Sequence, residues 1–308
     1  MSIKKILVTG SSGTIGTRLC EKLIEKGFEV IGADWVPNKW NKQIDKLTIN
    51  VDLRKQPDVF NKLPKDIDLV IHLAANARVY NLVMEPTLAR DNFETLFNVL
   101  EFARKNNITK FIFSSSREVY GNSGTTTHKE DEAYVQNCES PYTATKIGAE
   151  ALIHSYQQCY GIDIIIVRFS NVYGMYDDSD RLIPLFIQLC NEERDLVVFG
   201  EEKFLDCTYI DDTVAGVMLC IEKFDKAKNE VYNIAYGQGS SILRIAELMR
   251  QLLGVNNKII IKENRIGEVV KYVADISKAR DKLGYEPQVP INEGIKKSIK
   301  WYKDHLYL

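Results

Sequence analysis

Features that would assign this chain to a membrane, metal or nucleic-acid class are missing from its sequence. No run of about 18 apolar residues occurs, so no transmembrane helix and no membrane partner are expected. The net charge of -2 lacks the basic excess of a general phosphate-backbone binder, which argues against nucleic acid as a partner. The 4 histidines show no metal-ligand spacing, so no metal site is predicted.

The cysteines and the N-terminus also carry no special signal. None of the 6 cysteines belongs to a C-x-x-C pair, and most lie inside apolar stretches, which is typical of buried free thiols in a reducing compartment. Residues 1–5 lead directly into the apolar Ile6, which leaves no room for a signal peptide before structure begins. We therefore expect a cytoplasmic protein.

The apolar runs of the N-terminal half predict an α/β fold. The chain has 308 residues, of which 45% are hydrophobic, so it can build one large domain or two smaller ones. Strands buried on both faces of a parallel sheet are predicted at residues 6–8, 29–33, 46–50, 69–73, 111–114 and 164–168. Helical patterns lie between them at residues 15–26, 87–105 and 142–160, which predicts right-handed crossovers and a doubly wound parallel sheet of the Rossmann type.

The alternation of strands and helices becomes less regular after Asn171. Loops lengthen there, and helical patterns at residues 181–191 and 242–253 accompany short strands. We predict a Rossmann domain over residues 1–171, with a later contribution near residues 206–235. A smaller, interleaved C-terminal α/β domain is predicted over residues 172–308.

A glycine-rich turn predicts a dinucleotide site. Gly10, Gly13 and Gly16 lie between a predicted strand and a predicted helix, where glycine lets the backbone approach a pyrophosphate and the helix N-terminus presents N–H groups to it. The next strand ends at Asp34, whose carboxylate can accept hydrogen bonds from both adenosine ribose hydroxyls. Because a carboxylate repels a 2′-phosphate, the pattern favours NAD over NADP.

A second carboxylate follows the third predicted strand. Asp52 lies where it could meet the adenine amino group of the same cofactor. The alternative is a helix cap or a solvated turn, in which Asp52 has no ligand.

A tyrosine and a lysine on one helix face form a candidate base. Tyr142 and Lys146 are four positions apart in a helix opened by Ser140 and Pro141. A phenol needs about 4 kcal/mol of help to act near pH 7, and a lysine at about 4.5 Å supplies on the order of 3–4 kcal/mol at a dielectric of about 20. The helix N-terminus adds up to about 1 kcal/mol. The alternative is an exposed aromatic beside a solvated lysine, but the serines 114–116, which end a strand, favour a site.

Together these motifs identify the chain as similar to the extended short-chain dehydrogenase/reductases of the nucleotide-sugar epimerase/dehydratase group. The likeness covers essentially the whole chain. It rests on Gly10/Gly13/Gly16, Asp34, Asp52-Leu53, His72-Leu73-Ala74-Ala75, Asn92, Ser114-Ser115-Ser116, Val119-Tyr120-Gly121, Tyr142/Lys146, residues 168–174, 209–212, 232–233, 265–268 and 274–279, and Leu283-Gly284.

The resemblance implies a role for each matching residue. Tyr142 would be the base, Lys146 would orient the nicotinamide ribose and lower the tyrosine pKa, and Ser116 would hold the sugar oxygen. The implied NAD-binding residues are Gly10, Gly13, Thr14, Ile15, Gly16, Asp34, Asp52, Leu53, Leu73, Ala74, Ala75, Asn92, Ser114, Tyr142 and Lys146. The implied residues for a nucleotide-diphosphate sugar are Ser116, Arg117, Glu118, Asn171, Arg265 and Tyr272.

The activity that the resemblance implies is similar to that of UDP-glucose 4-epimerases. Tyr142 would take the C4 hydroxyl proton while hydride passes to NAD, and hydride would return to the opposite face after the 4-keto sugar turns. A dehydratase, a reductase or another epimerase is the alternative enzyme. A non-catalytic NAD-binding regulator is the alternative from a different class.

Some positions depart from the family pattern. The 4,6-dehydratases usually carry Asp-Glu after the position of Ser116, whereas this chain has Arg117-Glu118, which argues against dehydration. Tyr272 matches a position where residue size gates N-acetylated sugars, so its bulk favours plain hexoses.

The clamp on the nucleotide diphosphate differs as well. Many relatives have an arginine where this chain has Leu205, in a segment that is one residue shorter than usual. Arg181 or Lys203 could supply the missing charge.

The apolar faces of helices 87–105 and 142–160 predict a homodimer, as in relatives that pair through a four-helix bundle. The alternative is that both faces pack only on their own sheet.

Overall fold

The computed structural model describes residues 3–306, so Met1 and Ser2, which open the predicted N-terminal segment, lie outside the described residues. Over this range the strands are β1 Lys5–Thr9, β2 Glu29–Asp34, β3 Thr48–Asn50, β4 Leu69–His72, β5 Lys110–Ser116, β6 Thr127–His128, β7 Asp163–Phe169, β8 Asn171–Tyr173, β9 Leu196–Phe199, β10 Phe204–Tyr209, β11 Glu230–Ile234, β12 Gly239–Ser241, β13 Ile259–Lys262 and β14 Lys271–Ala274. The α-helices are α1 Thr14–Glu25, α2 Lys42–Leu47, α3 Gln56–Lys62, α4 Val79–Met84, α5 Thr87–Lys105, α6 Pro141–Tyr160, α7 Leu182–Asn191, α8 Ile210–Glu222, α9 Phe224–Ala227, α10 Ile242–Leu253, α11 Ser277–Leu283 and α12 Ile291–His305.

The main sheet confirms the predicted doubly wound Rossmann fold. Seven strands lie in the order β11-β7-β5-β4-β1-β2-β3, and every neighbouring pair is parallel. The strand order reverses after β1, which is where ligands bind in such sheets. The central strands are buried on both faces because helices cover them, as their continuous apolar runs predict.

The later part of the chain builds a second sheet and also returns to the first. Strands β12, β10, β14 and β6 form the second sheet, β8 adds to β10, and β9 pairs with β13. Strand β11 instead extends the first sheet beside β7, and α8 packs against α1 through an ion pair of Arg18 with Asp211 at 2.6 Å. The division of the chain into domains at residue 171 stays a prediction.

One predicted boundary is wrong for a local reason. The strand predicted at residues 46–50 is confined to Thr48–Asn50, because α2 occupies Lys42–Leu47. The Asn41 side chain begins that helix by accepting hydrogen bonds from two backbone N–H groups.

The helix with the candidate base begins as its sequence predicts. The Ser140 hydroxyl accepts a hydrogen bond from the Thr143 backbone N–H at 3.1 Å, and Pro141 occupies the first turn. Gly161 ends α6 in the left-handed conformation. These caps fix where Tyr142 and Lys146 lie along the helix.

Candidate active site

An elongated cavity of about 560 Å³ runs from the glycine-rich turn to the second sheet. It opens at the carboxyl ends of the main-sheet strands, which is where the two halves of this fold meet a ligand. The cavity brings together most of the predicted site residues: Gly10, Gly13, Thr14, Ile15, Gly16, Leu73, Ala75, Ser114, Ser116, Arg117, Glu118, Tyr142, Lys146, Asn171 and Arg265.

The glycine-rich turn can accept a dinucleotide for steric reasons. Gly10 has a φ of +72°, and a Cβ there would lie 2.8 Å from the Ala74 nitrogen. A Cβ on Gly16 would lie 2.0 Å from the Gly10 oxygen. Gly13 caps α1 without a side-chain hydrogen bond, so the first N–H groups of the helix remain available to a pyrophosphate. The residues present therefore fit a dinucleotide cofactor.

Asp34 ties the end of β2 to the glycine-rich turn. Its carboxylate accepts hydrogen bonds from the backbone N–H of Ser12 at 3.0 Å and of Trp35 at 2.8 Å. Burial raises the pKa of Asp34, and these backbone hydrogen bonds oppose the rise. Asp34 thus lies beside the turn as predicted, and its contact with a ribose stays a prediction.

Ser116, Tyr142 and Lys146 meet in the middle of the cavity, and all three are buried. The Lys146 ammonium donates a hydrogen bond to the Ser114 carbonyl oxygen at 2.8 Å, which fixes it against the end of β5. It lies 5.8 Å from the centre of the Tyr142 ring. The Ser116 side chain is hydrogen-bonded to the Tyr142 hydroxyl. The arrangement therefore joins a phenol, a cation and a hydroxyl group.

In the protein alone, burial outweighs the neighbouring charges at Tyr142, and the lowering of its pKa by Lys146 together with bound NAD stays a prediction. Burial raises the pKa of Tyr142 to about 12, although the hydrogen bond with Ser116 acts in the opposite direction. Burial also lowers the pKa of Lys146 to about 8, against the attraction of Glu150. The sequence-based reasoning counted the attraction between the two groups but not the removal of both from water.

The far end of the cavity is rich in paired charges. Arg117 Nη2 lies 2.7 Å from Glu118 Oε1, and both side chains are buried. Lys203 forms an ion pair with Glu268. The Arg265 guanidinium lies 4.0 Å from the centre of the Phe199 ring and 5.1 Å from that of Tyr80.

Comparison with known proteins places these features in a family. The family model described as "NAD dependent epimerase/dehydratase family" matches residues 6–235. The chain belongs to this NAD-dependent epimerase/dehydratase family. Its cofactor is NAD, as the glycine-rich turn and Asp34 predict, and the resemblance seen in the sequence is confirmed.

Relatives of this epimerase/dehydratase match it over nearly its whole length. A protein of Methanocaldococcus jannaschii named putative UDP-glucose 4-epimerase is 34% identical, over 97% of this chain and 99% of its own. The structure of UDP-glucose 4-epimerase from Thermotoga maritima with UDP-glucose matches with a TM-score of 0.89 at 30% identity, over 98% and 99% of the chains. The structure of UDP-glucuronic acid 4-epimerase from Bacillus cereus, in complex with UDP-glucuronic acid and NAD, also matches with a TM-score of 0.89 at 30% identity. The match covers 97% of this chain and 99% of that chain.

Asp52 of this family member is held in an ion pair, and its contact with adenine stays a prediction. Both of its carboxylate oxygens accept hydrogen bonds from Arg54, at 2.9 and 3.0 Å, and its pKa is lowered mainly by this contact. Arg54 also lies 3.1 Å from Asp91 and 4.5 Å from the centre of the Trp35 ring. The cavity lining does not include Asp52. Neither reading of Asp52 from the sequence included this ion pair.

Three predicted cofactor residues support the cavity from behind rather than lining it. The Asn92 side chain accepts a hydrogen bond from the Asn76 N–H at 2.7 Å and donates one to the Asn76 carbonyl at 3.1 Å. Ala74 packs against Gly10, and Leu53 is buried below the surface. Asn92 thereby holds the end of the loop that carries Leu73 and Ala75, which do line the cavity.

Tyr272 does not line the cavity, so the predicted gate for N-acetylated sugars is misplaced. Its ring is fully buried and stacks on His128 and Tyr120, with centroids 5.7 and 5.6 Å away. The Arg117 guanidinium lies 5.7 Å from the Tyr272 ring, between it and the cavity. Strand β14 pairs with β10, and this pairing places Tyr272 next to Leu205.

The sequence-based prediction of the site missed residues on the wall near the second sheet. Phe199, Tyr80, Arg78 and Glu268 line the cavity. Glu268 belongs to a motif that carries the family resemblance, but no single residue type or spacing singled out the others. Tyr80 lies on α4, Arg78 directly before that helix and Phe199 at the end of β9, and only the folded chain brings them to the same wall.

The structure also bears on membrane and metal binding. No helix within residues 3–306 is long and apolar enough to cross a bilayer. The described residues contain no cluster of three or more His, Cys, Asp or Glu side chains arranged to hold a metal ion.

Proposed function

We propose that this protein is an NAD-dependent nucleotide-sugar 4-epimerase of the UDP-glucose/UDP-galactose type. The observation that carries the proposal is the meeting of Ser116, Tyr142 and Lys146 in one cavity with the glycine-rich turn. The relatives named as 4-epimerases support the same reaction.

Tyr142 acts as the general base in this proposal. It removes the proton of the sugar C4 hydroxyl and later returns it, while Ser116 binds the same oxygen. Bound NAD would supply reversible hydride transfer at C4 and, in its oxidised form, a positive charge. Because burial raises the pKa of Tyr142 to about 12, proton removal depends on neighbouring positive charge, which Arg181 and Arg117 supply from the protein.

The nucleotide diphosphate binds at the far end of the cavity, among paired charges that include three cations. Arg265, Arg181 and Lys203 all line it, and Arg265 stacks between Phe199 and Tyr80. Asn171 lies nearby and donates a hydrogen bond to the Asp206 carbonyl at 3.0 Å. These cations compensate for Leu205, which stands where many relatives have an arginine.

A 4,6-dehydratase is the second candidate, and Glu118 is the observation that favours it. This carboxyl group lines the cavity two residues after Ser116, and burial raises its pKa. A raised pKa suits a group that protonates a leaving hydroxyl. Arg117 pairs with it at 2.7 Å and opposes that protonation, so epimerisation remains our proposal.

The test is turnover of UDP-glucose and UDP-galactose by the NAD-loaded protein. Interconversion without net redox change or loss of water supports the epimerase; loss of one water by mass spectrometry identifies a dehydratase, and net NAD(P)H consumption a reductase. Tyr142→Phe is expected to lower kcat at least about 100-fold while NAD still binds. Tyr160→Phe, on the exposed end of the same helix, is the matched control and should keep activity. Full turnover by Tyr142→Phe would contradict the assignment.

We also propose that the protein is a cytoplasmic homodimer that pairs through α5 and α6. Phe93 and Phe97 on α5 are 37% and 44% exposed, which is unusual for two phenylalanines on one helix. Pairing of these helices across a two-fold axis would cover both rings.

A further inference from the structure

A buried carboxylate lies one helical turn after Lys146. Glu150 follows the lysine by four positions on α6, so both side chains lie on the same face of that helix. Neighbouring residues of β5 hold the two groups in place. The Ser114 carbonyl oxygen accepts a hydrogen bond from the Lys146 ammonium at 2.8 Å, and the Ser115 hydroxyl donates one to the carboxylate at 2.5 Å. The lysine is 5% exposed and the glutamate 9%, so the cation and the anion lie close together away from bulk water.

Arg168 on β7 fixes the orientation of this carboxylate. Its guanidinium donates hydrogen bonds from Nε to Glu150 Oε1 at 3.0 Å and from Nη2 to Oε2 at 2.7 Å. Its third nitrogen, Nη1, donates to the Tyr120 hydroxyl at 3.0 Å and to the Glu130 carbonyl oxygen at 2.7 Å. The Glu150 carboxylate is therefore held through both oxygens and keeps one position relative to the lysine.

Other titratable groups of the described residues surround the Lys146 ammonium but supply no free negative charge. They are Tyr142 on the same helix, His72 on β4, Arg168 on β7, and Arg117 with Glu118 in the 3-10 helix after β5, which packs against α6. Burial lowers the pKa of His72 to about 3 and raises the pKa of Tyr142 to about 12, so both are neutral at pH 7. Arg117 and Glu118 pair with each other at 2.7 Å. Among the described residues, Glu150 is thus the anion whose attraction opposes the effect of burial on the Lys146 pKa.

We infer that Glu150, held by Arg168, is the positioning residue that keeps Lys146 in its ammonium form during the reaction. The inference rests on the proposed function, because the lysine can assist the bound cofactor and Tyr142 as a cation only while it keeps its proton. A unit charge at about 6 Å changes a pKa by about two pH units at a dielectric of about 20. Loss of the Glu150 charge should therefore lower the pH at which the lysine releases its proton by at least about one pH unit.

Unfolding by urea reports on the charge of Lys146 without turnover. The difference in the free energy of unfolding between the Lys146→Met variant and the unaltered protein is constant below the pKa of the folded lysine and falls above it. The pH at which this difference begins to fall, the onset, is expected near 8. When both proteins also carry Glu150→Gln, the onset should lie at least about one pH unit lower. An unchanged onset overturns the inference.

Arg168→Met separates the electrostatic role of Glu150 from a structural one. This variant breaks the same ion pair but leaves the carboxylate, so the onset should move to higher pH; an onset that does not rise overturns the inference. The double variant Glu150→Gln with Arg168→Met leaves no buried charge alone and decides the question where a single variant does not fold. Its onset should still fall, because Glu150 is the partner that acts on the lysine, and an unchanged onset overturns the inference.

The pH profile of turnover is the second measurement. The kcat/KM for UDP-glucose should decline on the alkaline side as Lys146 loses its proton, and Glu150→Gln should move this decline to lower pH by at least about one pH unit. Glu101→Gln is the matched control, because Glu101 on α5 also accepts two hydrogen bonds from an arginine, at 2.8 and 2.9 Å, and lies outside the cavity lining. The control should leave the profile in place.

The two proposals fail in different ways. If no UDP-hexose is epimerised but the onset moves as expected, the proposed function is wrong and the coupling of Glu150 to Lys146 stands. If UDP-glucose is epimerised but the alkaline decline stays in place in Glu150→Gln, only the inference is wrong. If no UDP-hexose is epimerised and the onset does not move, both are wrong.

Discussion

Replacing Lys146 by methionine should make the protein more stable at pH 7 and inactive. The side chain is 5% exposed, and burial lowers its pKa from 10.5 to about 8. Such a shift means that the folded protein holds the charged lysine at a cost of ~3 kcal/mol at neutral pH. Methionine removes this cost but leaves the Ser114 carbonyl without its donor, a loss of about 1 kcal/mol. The expected net gain is about 2 kcal/mol in the free energy of unfolding.

The pH dependence gives this prediction its sign. Between pH 8 and 10.5 the unfolded chain holds a proton on Lys146 that the folded protein has released, so the stability of the unaltered protein rises with pH over that window. The methionine variant has no such group. The gain of the variant in the free energy of unfolding, relative to the unaltered protein, should therefore be complete below pH 8 and should disappear by about pH 10.5.

Urea unfolding at pH 7 and at pH 10 measures both effects. Lys26→Met, a change of an exposed lysine, is the control and should alter stability by no more than about 0.5 kcal/mol. A Lys146→Met variant that is less stable than the unaltered protein at pH 7, or whose advantage does not change with pH, would refute the reasoning. Its kcat/KM should fall at least about 100-fold in either case.

Three further predictions concern the cofactor and the assembly. Binding of NAD should shift the appearance of phenolate absorbance from Tyr142 to lower pH, because its pKa of about 12 falls when positive charge is brought near; an unchanged titration curve would contradict this. Gly16→Ala should weaken NAD binding more than about 10-fold in calorimetry, since its Cβ would lie 2.0 Å from the Gly10 oxygen, and unaltered affinity would count against the turn as the phosphate site. Phe97→Glu should convert the proposed dimer into a monomer in sedimentation, whereas the unaltered protein sedimenting as a monomer would exclude the dimer.

Local sequence patterns were sufficient for the parts of the site that depend on backbone geometry. The glycine-rich turn requires glycine because a Cβ would collide with neighbouring backbone, and this constraint is visible in three residues. Ser140 and Pro141 mark the start of α6, and the helix repeat then places Tyr142 and Lys146 on one face. The same reasoning correctly brought Ser116 to the end of β5.

Side-chain partners from distant segments could not be predicted in this way. Asp52 is neutralised by Arg54, and the guanidinium is held in turn by Asp91 on α5. Tyr272 is drawn into an aromatic stack by the pairing of β14 with β6 and β10. The Tyr142 pKa depends on how completely the folded chain excludes water, which no spacing in the sequence reports.

The return of β11 to the main sheet affects how the protein is made. Residues 230–234 supply the strand that covers β7, so a ribosome must synthesise the whole intervening segment before that position is filled. Until then, a nascent chain that has folded the first six strands of the main sheet carries an open apolar edge at Asp163–Phe169. Such edges recruit other chains, so this enzyme is most vulnerable to aggregation during synthesis, and fragments that end before Glu230 should precipitate rather than persist as a free nucleotide-binding module.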